Sequence, residues 1–155
     1  MKQAKFTAEQ IADYFISKAN EQLVDEKTSE GISNLKLQKI MYFAQAAFIV
    51  LNDSLLFKED IEAWKYGPVV PVIYKKYKKQ GNKPIQSKTQ SEINDEEVLL
   101  FLENTWRIFG KYSAGQLVDI THQHKPWVEA YANKNDHKIS PNALKSYYKD
   151  IFVKS

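Results

Sequence analysis

Two of the chain's three histidines stand two apart, in His122-Gln123-His124, and His137 is the third. In an extended segment residues i and i+2 share a face, so both imidazoles can reach one metal ion. On a helix the same pair diverges by about 200° and cannot. A site also needs a third ligand, and no carboxylate stands at a spacing that supplies one. The favoured reading is structural, with His122 at the end of a helix, where the dipole favours a cation. Nucleophilic catalysis has little to work with: there is no cysteine, no strand-turn serine elbow and no glycine-rich phosphate loop. The acidic residues scatter over helical surfaces. No catalytic residue, metal or cofactor is assigned, and the chain is not read as an enzyme.

The run Tyr74-Lys75-Lys76-Tyr77-Lys78-Lys79 mixes aromatics with cations, the composition that binds nucleic acid by charge and stacking. Six lysines lie between Lys75 and Lys88 with no acid among them; without them, sixteen basic residues face nineteen acidic ones. The net charge of +3 is therefore a local feature rather than a general affinity for polyanions. At helical spacing Tyr74 and Tyr77 fall with Ile73 on an inward face, and the lysines form a solvated helix end. Binding of nucleic acid is the less favoured reading.

A third concentration of unusual residues runs from Glu62 to Pro71, where Trp64 and Tyr66 accompany Gly67-Pro68 and Pro71. Proline lacks an N–H and restricts the residue before it, so helices cannot continue through this step. Apolar residues recur at helical spacing on both sides, which makes Glu62–Pro71 a corner between two helical halves.

The elements that must position these groups are mostly helices. Thr7-Ala8-Glu9-Gln10 is a capping box opening a first helix through Ile11, Tyr14, Phe15 and Ala19 to Leu23, followed by a polar loop from Asp25 to Gly31. Ser33 caps a second helix to about Leu51, apolar along Leu37, Ile40, Met41, Ala44, Phe48 and Leu51, and expected at the centre of the core. Leu55-Leu56-Phe57 and Ile61–Trp64 are expected to pair as a short hairpin. Val69–Lys79 reads as a third helix, and the polar stretch Gln80–Ser91 as a mobile loop. Further helix starts stand at Asn94–Glu97, at the capping box Ser113–Gln116, at Pro126 and at Ser140-Pro141. The expectation is a mostly α fold: one compact domain over 1–155 with six to seven helices and a minor hairpin near 55–64.

Composition agrees with that class. The 155 residues are 43% hydrophobic and 26% charged, ordinary for a globular domain with its own core. The absence of cysteine excludes disulfides and fits a reducing cytoplasm. No apolar leader follows Met1, and the longest apolar stretch, Ala44–Leu51, is too short to span a bilayer, so no membrane role is expected.

Three blocks carry a resemblance to a known family. Asn34-Leu35-Lys36-Leu37-Gln38-Lys39 with Tyr42-Phe43-Ala44-Gln45 is similar to the opening signature of the Panacea domain family, whose members are also described as SocA-like or as phage-associated GepA proteins. Glu62–Pro71 with Tyr74 resembles its central motif. Ser113-Ala114, Gln116-Leu117, Thr121-His122 and Pro126-Trp127 resemble its C-terminal motif. The motif-bearing region runs from about Thr7 to Tyr131. The resemblance implies a small cytoplasmic bacterial or prophage protein that neutralises a partner toxin encoded by a neighbouring gene. It does so by direct binding or as an adaptor to an energy-dependent protease. No catalytic residue comes with the family. The candidate partner-binding residues are Trp64, Lys65 and Tyr66, with Lys36, Lys39 and His122 behind them. The alternatives are a prophage protein that binds another host factor, and a small-ligand or nucleic-acid binder.

Overall fold

A computed structural model describes residues 1–25, 31–87 and 90–152. Seven α-helices account for most of them: α1 (Ala8–Asp25), α2 (Asn34–Asn52), α3 (Pro71–Tyr77), α4 (Glu96–Phe109), α5 (Ala114–His122), α6 (Lys125–Ala132) and α7 (Pro141–Tyr148). A small antiparallel sheet, in the order β2-β1-β3, joins β1 (Ile61–Trp64), β2 (Gly67–Val69) and β3 (Lys138–Ile139). The expected loop between Asp25 and Gly31, the Leu23 side chain and Lys88 lie outside the described residues.

The helices begin where the capping chemistry puts them. Thr7 N–H donates to Gln10 Oε1 at 2.9 Å, and Gln10 N–H returns to Thr7 Oγ1 at 3.2 Å. Ser113 and Gln116 form the same reciprocal pair at 2.8 and 3.1 Å. Ser33, Asp95 and Ser140 each accept from the first turn of α2, α4 and α7. These bonds satisfy amides that the helix itself leaves unpaired.

Helix α2 is the hub. It touches α1, α3, α4, α5, α7 and β2, and thirteen of its nineteen residues are buried. A helix enclosed on all sides must satisfy any polar side chain it carries from within. Asn34, Gln38, Lys39 and Gln45 are all buried in this way. Gln45 Nε2 donates to Phe57 O at 2.8 Å, while its Oε1 accepts from Leu56 N–H at 2.7 Å. At the other edge Tyr42 and Tyr148 are fully enclosed, their hydroxyls 2.9 Å apart, which fastens α7 to the hub.

Three details differ from expectation. Strand β1 pairs with Gly67–Val69 and with Lys138–Ile139, not with Leu55–Phe57. Leu56 and Phe57 are fully buried, and their backbone is taken by Gln45 and by a bridge from Phe57 to Phe6, so no strand edge is left to pair. Helix α3 starts at Pro71 rather than Val69, because Val69 belongs to β2 and proline sits readily in a first helical turn. It ends at Tyr77 and passes into a 3₁₀ turn, Lys78–Gln80. The Gln80–Ser91 stretch is tied down at its middle: Ile85 is buried and its N–H donates to Ile32 O at 2.8 Å.

Candidate functional site

The corner that links β1 to β2 is tight because Gly67 makes it so. Gly67 has φ of +103°, a conformation that side-chain-bearing residues rarely adopt. A Cβ there would lie 2.5 Å from Lys39 Cε and 2.9 Å from Thr121 Oγ1. The turn is thus pressed onto α2 on one side and α5 on the other.

Its backbone is held from both sides by side chains. From α2, Lys39 Nζ donates to Pro68 O at 3.0 Å, and Gln38 Oε1 accepts from Val70 N–H at 2.8 Å. Gln38 is itself oriented by Asn34 Oδ1 at 2.8 Å, and Asn34 Nδ2 donates to Tyr74 O at 3.1 Å. From the C-terminal half, Trp127 Nε1–H donates to Trp64 O at 2.8 Å and His122 Nε2–H donates to Lys65 O at 3.0 Å. His122, Trp127 and Tyr131 stack in series, with centroid separations of 4.1 and 4.7 Å. The three sequence blocks, distant along the chain, meet at this one turn.

Lys39 is the costliest member. It is fully buried, and burial lowers its pKa from 10.5 to about 7. No surface of Lys39 reaches a partner, which corrects its place among the partner-binding candidates: it fixes the turn from beneath. Lys36 is half-buried, its Nζ donating to Gly110 O at 2.6 Å and lying over the Trp106 ring. His122 is half-buried and acts on the turn's backbone.

Tyr66, by contrast, is 61% exposed at the tip, and Lys65 beside it is exposed with its Nζ 5.5 Å from the Tyr66 ring. Trp64 is half-buried, its indole Nε1–H donating to Glu62 Oε1 and its ring meeting Tyr74 edge-on at 5.0 Å. Tyr77 is buried, so one of the two tyrosines in the lysine run serves the core and the other backs Trp64.

The His122–Gln123–His124 pair is split. His122 ends α5, while His124 caps α6 with Nδ1 2.8 Å from Tyr148 Oη. Burial lowers the pKa of His124. The His124–Tyr148 bond and the Tyr148–Tyr42 hydroxyl bond join the three side chains in one hydrogen-bonded chain. Among the described residues no three His, Cys, Asp or Glu side chains gather as a metal site. No described helix is long and apolar enough to cross a membrane.

Comparison with known proteins places this geometry. The family model described as "Antitoxin SocA-like, Panacea domain" matches residues 37–128, and the chain belongs to that family. Among curated proteins the chain is similar to Antitoxin SocA of Caulobacter vibrioides (strain NA1000 / CB15N). The two are 35% identical over 109 residues, covering 62% of this chain and 58% of the relative. The match thus spans little more than half of that protein's length. No solved structure matches.

Proposed function

From membership of this family we infer that the chain is an antitoxin: it neutralises a protein toxin, the product of a neighbouring gene, by binding it. The contact is the corner Trp64-Lys65-Tyr66. The observation that carries this reading is the pairing of a rigid backbone with an exposed aromatic tip, Tyr66 at 61% exposure. Tyrosine and tryptophan dominate interface energetics, and a tip held in place before contact gives up less conformational freedom on binding. The work is done in the bacterial cytoplasm by one domain spanning 1–155. Helix α7, outside the family match, belongs to the same core, since its Tyr148 bonds Tyr42 of α2.

Inhibition by binding and delivery to an energy-dependent protease use the same contact and differ only in the fate of the toxin. The test is to express short neighbouring reading frames with and without this protein. Rescue of growth by the wild-type chain, lost with Tyr66→Ala, supports the reading; equal growth inhibition in both cases for every neighbour contradicts it. Toxin half-life in a protease-deficient host then separates the two fates.

A further inference from the structure

Beside the turn, between the start of α2 and the end of α3, lies a cleft of about 290 Å³. Leu35, Trp64, Tyr66 and Tyr74 give it apolar and aromatic walls, and Lys65 and Lys78 supply its charge. The amides of Asn34 and Gln38 also reach it, but they are engaged internally, with each other, with Val70 N–H and with Tyr74 O. Among the described residues no carboxylate lines it, and Glu62, bound through Oε1 to the Trp64 indole, is not among its walls.

The volume lies at the bottom of the range for small-molecule sites and suits a single large side chain. The two charged side chains that line it are both cationic. Lys76 is paired with Glu9, whereas Lys65, Lys75, Lys78 and Lys79 are exposed with no ion pair among the described residues. A cationic rim around an apolar pocket selects a partner that is apolar at one point and acidic on either side of it, and steers its approach.

We propose that this cleft takes one aromatic or large aliphatic side chain from a protein partner, flanked in that partner by carboxylates that meet Lys65 and Lys78. This rests on the reading of the corner as the toxin contact and names the chemistry of the toxin segment that fits it.

The probe is a fluorescent, end-blocked peptide of sequence Asp-Glu-Phe-Glu-Asp, titrated with the full chain. Saturable binding with a Kd of about 10–100 µM is expected. Replacing the acids with Asn and Gln, or the Phe with Ala, weakens it by about tenfold or more. So does the double variant Lys65→Ala/Lys78→Ala, both positions being exposed and outside the core. Binding that is absent, or that persists equally in the double variant or with the neutral peptide, overturns the proposal. So does a single-stranded oligonucleotide that binds more tightly through the same lysines. If the peptide fails while Tyr66→Ala still abolishes toxin rescue, the cleft is wrong and the corner stands. If the peptide binds as described but no neighbouring toxin is rescued, the antitoxin reading falls and the cleft remains.

Discussion

The Leu55–Phe57 segment and the β1–β2 corner both lie against α2, and both are pinned by its buried polar side chains. Gln45 holds Leu56 and Phe57; Gln38 and Lys39 hold Pro68 and Val70. At the first, both large apolar side chains point inward and are fully buried. At the second, the held backbone projects Tyr66 and Lys65 into solvent. The same device completes the core in one place and presents a surface in the other. Each is also held from a second direction, the corner by the side chains of His122 and Trp127 and the Leu55–Phe57 segment by backbone bridging to Lys2 and Phe6.

The sharpest way to break that contrast is Gly67→Ala. Positive φ and a Cβ driven against Lys39 and Thr121 make a loss of about 3 kcal/mol or more the expectation, read as a fall in urea midpoint. Gly81→Ala is the control: φ is also positive, at +60°, but nothing stands within 4 Å, so only the backbone strain, about 1–2 kcal/mol, is expected.

At the other segment, Gln45→Leu strands two donors and an acceptor in the core and should cost about 2–3 kcal/mol. Toxin binding at 20 °C or below, where the variant remains folded, should persist because the corner is untouched.

Lys39→Met carries two opposed terms, since it removes a desolvated ammonium but strands Pro68 O, so a net change of about 1 kcal/mol or less is expected at neutral pH. The sign with pH follows from the depressed pKa. The unfolded chain keeps its proton up to about 10.5 and the folded chain only to about 7, so wild-type stability rises with pH across that window. Lys39→Met should lack that rise, which denaturation at a series of pH values reads directly. Smallest is the effect of His124→Asn. Burial lowers the His124 pKa, so its contribution is present above the unfolded value of 6.5 and lost as pH falls below it. The variant should flatten the acid limb of the same series.

The sequence reveals much of this and misses an identifiable remainder. Caps and periodicity place the helices because those signals are local: Thr7–Gln10 and Ser113–Gln116 each carry their own bonds. The sheet is less legible, because β3 is two residues long and its pairing with β1 spans more than seventy residues. Leu55–Phe57 looks like a strand because it is apolar; only the reach of Gln45 shows why it is not one. Lys39 looks like a surface cation, since the pattern says nothing of the turn that covers it. A signal did exist in α2. Asn34, Gln38 and Gln45 fall within about 40° of one another on the most apolar helix of the chain, a polar stripe that needs buried partners. Exposure at Tyr66 depends on the tertiary clamp and is not written in any local pattern.

The central claim is that the corner, rather than exposed apolar surface in general, is what the toxin meets. Leu100 on α4 is 60% exposed, nearly matching Tyr66 at 61%, but lies elsewhere on the molecule. The deciding measurement is the affinity of the purified toxin for Tyr66→Ala and Leu100→Ala, with both unfolding midpoints recorded. A loss of about tenfold or more for Tyr66→Ala alone, with both unfolding free energies within about 0.5 kcal/mol of wild type, is the predicted result. Equal effects from the two substitutions, or none from Tyr66→Ala, would contradict the account.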